Sequence, residues 1–308
     1  MYAPVVVFAY NRSTLLSKCI EHLLSCPEAR ETELYIFCDG PKDNTSEEER
    51  NSVSKTQYVA QTITGFKHTH VVVQTTNAGL KQSVLNGLTQ VFKSNAYAII
   101  IEDDIMVGNQ FLTFMNQALP AYADETKVAG ISGYSFPIGE FDPYFSRTGS
   151  CWGWATYSRV WNDFLKSRAQ LDLSLIDKNE LNLFNVYQNI YSDMFKQSKQ
   201  SLIQSWAVEF YLYYFTQKQF FLMPGGNLIS NLGFDGSGVH SKHGNFLTDD
   251  NPIGAISSIH YPYEIKEDIV IRKKIEKLYR KGYAKQSFIG YFVSKMKRLL
   301  LGDEKVDR

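Results

Sequence analysis

Three consecutive carboxylates, Glu102, Asp103 and Asp104, end an apolar run that starts at Tyr97. The run is rich in isoleucine, which is typical of a buried strand. Adjacent acids at the end of such a strand repel one another and lose hydration, so a protein keeps them where a cation or a ligand's donors offset the charge. Carboxylate oxygens suit Mg²⁺ or Mn²⁺, which complete their coordination with water and substrate phosphates. This acidic triplet therefore predicts a divalent-cation site; the alternative is a solvated acidic turn.

The elements that would position the triplet alternate between strand and helix patterns. A helical pattern follows Ser13, a good N-cap, and another begins at Leu80. We therefore predict an α/β fold with a mainly parallel sheet covered by helices on both faces. The apolar runs expected to form its strands lie at 4–9, 34–38, 70–74, 97–101 and 128–132.

Other polar residues follow these runs directly. Asn11 and Arg12 come after the first run, Asp39 after the second, and Asn77 and Gly79 after the third. Ligands of open α/β sheets bind at the carboxyl ends of the strands, so we expect one crevice to gather these residues with the acidic triplet. Taken singly, Asn11 and Asp39 are also turn formers, and Arg12 is also an ordinary surface charge.

Composition limits the class of protein. The 308 residues are 44% hydrophobic and carry a formal net charge of zero, so a large core is expected and nucleic-acid binding is not. The start of the chain lacks the pattern of a secretory signal, and no apolar stretch approaches the length of a membrane span. We expect a cytoplasmic protein. The cysteines show neither a zinc-ligand spacing nor a disulfide framework, and they are Cys19, Cys26, Cys38 and Cys151.

Aromatic residues mark the second half of the chain. Trp152, Trp154 and Trp206 could stack on a sugar, or they could belong to the core. The glycine-rich segment 233–240 contains Asp235 and His240, and it is either a flexible binding loop or a plain surface turn.

The C-terminal segment 271–301 carries ten Lys or Arg residues against one acid, Glu276, interleaved with apolar residues. Such a basic amphipathic helix can lie on an anionic membrane surface. The alternative is a helix docked on the protein's own domain.

Together these motifs resemble a glycosyltransferase of the Rossmann-like GT-A fold over residues 3–245. They are similar to N-acetylglucosaminyltransferase I-like enzymes and to bacterial family 2-type polysaccharide glycosyltransferases. The resemblance implies a nucleotide-sugar-binding half at 1–135, an acceptor-binding half at 136–265 and the basic tail at 266–308. The segments that carry it are 4–12, 37–40, 77–80, 101–104, 153–154 with Trp161, and 233–240.

The resemblance also implies roles for single residues. Asp104 would hold Mn²⁺ or Mg²⁺ against the diphosphate of the donor, with His240 as a further metal ligand or diphosphate contact, or else a surface histidine. Trp152, Trp154 and Trp206 would lie on the acceptor side. The nucleotide sugar, expected to be UDP-linked, would contact Asn11, Arg12, Asp39, Asn77, Gly79, Lys81, Glu102 and Asp103.

The chain departs from the family's pattern at the catalytic base. The animal enzyme has a catalytic Asp directly after a Trp, whereas Trp206 is followed here by Ala207, which cannot accept a proton. Glu209 or Asp235 would have to take over. For Glu209 the alternative is a structural ion pair.

The function implied is hexosyl or N-acetylhexosaminyl transfer, with inversion, to a glycan or lipid-linked acceptor. The setting would be bacterial capsule or lipopolysaccharide synthesis, with the enzyme peripheral on the inner face of the plasma membrane. A sugar-phosphate nucleotidyltransferase would need a glycine-rich loop after the first strand, and residues 9–12 contain no glycine. The remaining alternative, raised by Ala207, is a catalytically inactive nucleotide-sugar-binding scaffold protein.

Overall fold

The first apolar run of the chain forms the centre of a sheet. In the computed structural model, residues 2–139, 141–233, 246–248, 251–256 and 261–301 are described, with side chains of the last stretch as far as Lys285. The strands are β1 Val5–Ala9, β2 Glu33–Cys38, β3 His68–Val73, β4 Tyr97–Glu102, β5 Ile105–Val107, β6 Val128–Ser132, β7 Tyr144–Ser146, β8 Trp154–Tyr157, β9 Phe220–Met223 and β10 Ile229–Asn231. The helices are α1 Ser13–Leu24, α2 Glu47–Thr62, α3 Leu80–Val91, α4 Phe111–Ala121, α5 Ser158–Ser167, α6 Lys178–Asn185, α7 Ile190–Lys199, α8 Trp206–Thr216 and α9 Ile269–Leu301.

Eight of these strands form one sheet in the order β3-β2-β1-β4-β8-β6-β9-β7. The first four strands are parallel to one another, while β8 and β7 run antiparallel to their neighbours. A separate pair, β10 and β5, is antiparallel. The predicted α/β class, with a mostly parallel sheet flanked by helices, is confirmed, and each of the five apolar runs forms a strand.

The two predicted helices around the first strands are present, with one correction. Helix α3 begins at Leu80 as expected. Ser13 is the first residue of α1 and not its N-cap, because Arg12 takes the capping position without a side-chain capping bond. Arg12 has its side chain committed elsewhere, as the site geometry below makes clear.

The first part of the basic tail packs on the domain. In α9, Ile271, Ile275 and Tyr279 are buried, and so is the guanidinium of Arg272. Arg272 donates from Nη1 to Oγ1 of Thr148 at 3.0 Å and from Nε to Glu276 at 2.9 Å. Burying a cation requires partners of this kind. The first part of α9 is therefore a helix docked on the protein's own domain, which was the alternative to a helix lying on a membrane. Across the described residues, none of the helices combines the length and the apolar character that crossing a membrane requires.

Candidate functional site at the carboxyl edge of the sheet

The parallel strands β2, β1 and β4 bring the predicted polar residues to one edge. Ala9, the last residue of β1, pairs with Cys38, the last of β2, and Phe8 pairs with Glu102 on β4. The peptide N–H of Asp39 donates to the carbonyl of Ala9 at 2.9 Å. Because the strands end in register, the loops after them start side by side, as the sequence predicted.

Arg12 closes on the acidic triplet. Its Nη2 donates to Oδ1 of Asp103, and its Nη1 lies 2.9 Å from Oδ2 of Asp104. Asp103 is 1% exposed and Asp104 is 8% exposed. A planar guanidinium can bridge two carboxylates in this way. Arg12 therefore lies against the acids and not against the loop of Asp39, and it offsets one of three negative charges.

Burial and the remaining negative charge raise the pKa values of two carboxyls of the triplet. Burial, together with the charges of Asp104 and Asp103, raises the pKa of Glu102 to about 8. Burial raises the pKa of Asp103 to about 6, although Arg12 opposes that rise. Glu102 and Asp103 thus hold their protons more tightly than free carboxyls would, because burial disfavours the charged form and Arg12 does not fully offset the repulsion from the neighbouring acids. The site favours an additional cation.

The donor set fits a hard divalent ion. Oδ2 of Asp103 is buried and has no hydrogen-bond partner among the described residues. The described residues contain no group of three or more His, Cys, Asp or Glu side chains arranged to hold a metal. Mg²⁺ needs fewer, since one or two carboxylates with water and substrate phosphates complete its shell. The Asp103 and Asp104 carboxylates would hold the ion, in competition with Arg12 at Oδ2 of Asp104.

Asp39 organises the loop after β3. Its Oδ1 accepts from the N–H of Gly40 at 2.9 Å and of Ala78 at 2.8 Å, and its Oδ2 accepts from the N–H of Gly79 at 2.8 Å. Asn77 donates to the carbonyl of Gly40 at 2.9 Å. Two carboxylate oxygens offer about four acceptor positions, so one remains on Oδ2. That position is where an N–H group of a ligand could bind.

The chain after β10 passes directly over Asp104. The N–H of Leu232 donates to the Asp104 carbonyl at 2.9 Å, and a Cβ atom on Gly233 would collide with Oδ2 of Asp104. Only a glycine allows this approach of the backbone. Asp235 and His240 lie outside the described residues.

Glu209 lies in the first turn of α8, between two cations. Its Oε1 accepts from Nζ of Lys81 at 2.7 Å and its Oε2 from Nε of Arg168 at 2.6 Å. Oγ of Ser198 also donates to Oε1 at 3.2 Å. Burial opposes ionisation, yet these hydrogen bonds outweigh it and lower the pKa of Glu209. The geometry is that of the structural ion pair left open above, and a carboxylate held in this way is a weak proton acceptor.

Trp154 and Trp206 belong to the aromatic core. They are 1% and 4% exposed, and their rings stack at a centroid distance of 5.3 Å. Buried rings offer no face to a sugar, so their burial supports the core interpretation. Trp152 is half-buried and packs edge-on against Tyr134. Gly153, between Trp152 and Trp154, has a positive φ of 60°, and a Cβ atom at this position would collide with the side chain of Ile229.

Sequence reasoning missed two residues that contact Glu209. Arg168 follows α5 in a short 3₁₀ turn, and Ser198 lies near the end of α7. Neither stands in a motif, and both are brought to Glu209 by packing between elements far apart in the chain. A search for cations complementary to Glu209 would have found many equally good candidates.

No family model matches the chain, and no curated protein matches it in sequence. TarS from S. aureus is similar in structure, with a TM-score of 0.36 and 14% identity. The match covers 53% of this chain and 30% of that one.

Proposed function

We propose that the protein is a metal-dependent glycosyltransferase. It would move a hexose or N-acetylhexosamine from a nucleoside-diphosphate sugar, a UDP-sugar in the first instance, to a glycan or lipid-linked acceptor in bacterial surface polysaccharide synthesis. The observation that carries this proposal is that Asp39 and the acidic triplet lie at a single edge of the sheet. Asp39 keeps one free acceptor position, and Arg12 offsets the negative charge of the triplet only in part. Asp39 would bind the base of the nucleotide, and the acidic triplet would bind a cation together with the diphosphate.

Each group at the edge would have a distinct task. Asp39 would accept an N–H of the base, and Asn11, Asn77 and Gly79 would line the nucleotide. Mn²⁺ or Mg²⁺, held by Asp103 and Asp104, supplies the charge that stabilises the departing nucleoside diphosphate. Glu102 would contact the nucleotide from the end of β4. His240 would be a further metal ligand or diphosphate contact.

Inversion at the anomeric carbon requires a carboxylate to take the proton of the attacking acceptor hydroxyl. Glu209 and Asp235 are the two candidates. Both oxygens of Glu209 accept hydrogen bonds from cations, and its pKa is lowered. This favours Asp235, which follows the glycine that packs on Asp104.

A second candidate function is a nucleotide-sugar-binding scaffold protein without turnover. Ala207 after Trp206 and the ion pairs of Glu209 favour it. Such a protein would keep the cation and nucleotide sites and lack the base. It would bind donors without consuming them.

One experiment separates the two functions. A panel of UDP-sugars is offered with Mn²⁺, and both donor binding and slow donor hydrolysis are measured. We expect cation-dependent binding with turnover, and loss of both in Asp104→Asn. Asp163→Asn is the matched control, because Asp163 is exposed and pairs with Lys166 at 3.1 Å. Binding without turnover would support the scaffold, and no cation-dependent binding would reject both.

We also propose that the distal part of α9 contacts an anionic membrane surface, where a lipid-linked acceptor would be found. The sequence beyond Lys285 places Phe288, Phe292, Met296 and Leu299 at helical spacing, with further lysines among them. Deleting residues 286–308 leaves the docked part of α9 intact. We expect the shortened protein to lose binding to vesicles containing phosphatidylserine. Unchanged vesicle binding would reject the membrane role.

A further inference from the structure

Arg168 is fixed through one edge of its guanidinium and open at the other. Its Nε donates to Oε2 of Glu209 at 2.6 Å, and its Nη groups make no hydrogen bond to any described residue. The Arg168 side chain is 31% exposed, whereas that of Glu209 is 6% exposed. A buried carboxylate therefore anchors the guanidinium through Nε. Four N–H donors of the two Nη groups remain available.

Lys81 adds a second cation to the same carboxylate. Its Nζ lies 2.7 Å from Oε1 of Glu209 and 3.5 Å from Oγ of Ser198, and its side chain is 15% exposed. Glu209 supplies one negative charge against two positive ones. The cluster of Lys81, Arg168 and Glu209 thus carries an excess of one positive charge, in contrast to the acidic triplet.

The position of this cation pair links it to the candidate site. Lys81 stands in the first turn of α3, two residues after Gly79, whose N–H donates to Asp39. Glu209 stands in the first turn of α8, after the N-cap Ser205. Lys81 therefore lies within one helical turn of the loop that Asp39 organises, and Arg168 is linked to Lys81 through Glu209.

We propose that Arg168 and Lys81 form an anion subsite that binds a phosphate group of a substrate. An arginine fork binds phosphate through two parallel hydrogen bonds, and a preorganised fork loses less side-chain entropy on binding. Glu209 is then a positioning residue, which holds both cations in place. The inference rests on the proposed function for its biological meaning. The phosphate belongs either to the diphosphate of the donor or to a phosphorylated acceptor.

The test is a titration with inorganic phosphate, followed by ³¹P NMR in low salt without divalent cations. Arg168→Gln is expected to weaken phosphate binding at least tenfold. Lys166→Gln is the matched control, because Lys166 lies two residues away and its described partner is the exposed Asp163. It should bind phosphate like the wild type. Equal affinity of Arg168→Gln and the wild type would overturn the subsite.

A second variant protects the test against misfolding. Arg168→Lys keeps the charge and loses the fork, so phosphate affinity should fall at least threefold while the melting temperature stays close to that of the wild type. Repeating the titration with saturating UDP and Mn²⁺ distinguishes the two sources of phosphate. Retained binding that depends on Arg168 identifies an acceptor phosphate. Competition by UDP, with a tenfold weaker UDP affinity in Arg168→Gln, identifies the donor diphosphate.

Glu209→Gln distinguishes positioning from base catalysis once turnover is measurable. Loss of a general base costs about 10²–10⁴ in kcat and removes the corresponding limb of the pH profile. A positioning residue instead raises KM for the phosphate-bearing substrate and leaves the shape of the pH profile unchanged. The phosphate titration needs no glycosyl transfer, so it holds or fails independently of the proposed function.

Discussion

Arg12 Nη1 lies 2.9 Å from Asp104 Oδ2, and the same guanidinium also bonds Asp103. The oxygen that a divalent ion would use is thus already paired with a cation. A divalent ion and the guanidinium at the same oxygen repel each other, so binding of the ion and the Arg12 bridge compete at Asp104.

We expect Arg12→Gln to bind Mn²⁺ at least fivefold more tightly than the wild type when no nucleotide is present, because the competing cation is gone. Isothermal titration calorimetry measures this directly. Arg30→Gln removes an equal charge from an exposed position and should leave Mn²⁺ affinity unchanged. Equal Mn²⁺ affinity of Arg12→Gln and the wild type would contradict competition at Asp104.

Stability should depend on pH through the acidic triplet. The pKa of Glu102 is raised from 4.5 to about 8 and that of Asp103 from 3.8 to about 6, so the folded state keeps protons that the unfolded chain has lost. Stability then falls as the pH rises through this window. Without divalent cations, we expect a higher melting temperature at pH 5.5 than at pH 8.

Two further measurements check the origin of that slope. Glu102→Gln should flatten the dependence of the melting temperature on pH, since the group that titrates up to about 8 is removed. Mn²⁺ should bind more tightly as the pH rises, because the ion competes with protons for the carboxylates. A melting temperature that rises from pH 5.5 to pH 8 would show that other groups dominate.

Asp39→Asn should weaken both the fold and nucleotide binding. An amide can accept through its oxygen only, so its NH₂ group would face a backbone N–H, and two donors would meet without an acceptor. We expect a loss of about 1–3 kcal/mol in the free energy of unfolding, measured in urea. Asp43→Asn, at an exposed position in the same loop, is the control and should unfold like the wild type.

Gly282→Ala tests the docking of the tail. In an ordinary helix this change stabilises by about 0.5–1 kcal/mol. Here a Cβ atom would collide with the ring of Phe246, so we expect destabilisation of about 1–3 kcal/mol. The double variant with Phe246→Ala should regain the normal helical preference for alanine. A stabilised single variant would mean that α9 does not pack on Phe246.

The sequence located the site better than it located the partners of individual residues. Asp39 and the acidic triplet could be placed because both follow apolar runs, and parallel strands bring their carboxyl ends together. The partners of Glu209 could not be predicted, because Lys81 and Arg168 reach it only through the packing of α3 and α5 against α8. Trp154 and Trp206 are likewise ambiguous in sequence, since aromatic residues suit a core and a sugar site equally.

The burial of Ile275 and Tyr279 also has a consequence for the order in which the protein is made. Most of the sheet is synthesised long before α9. The surface of the domain around Thr148 stays exposed to water until Arg272 has been synthesised and packs against it. Ribosomes add about 5–20 residues per second, so this partly assembled form exists for seconds. During that interval the nascent chain would be a natural client for chaperones that shield unfinished hydrophobic surface.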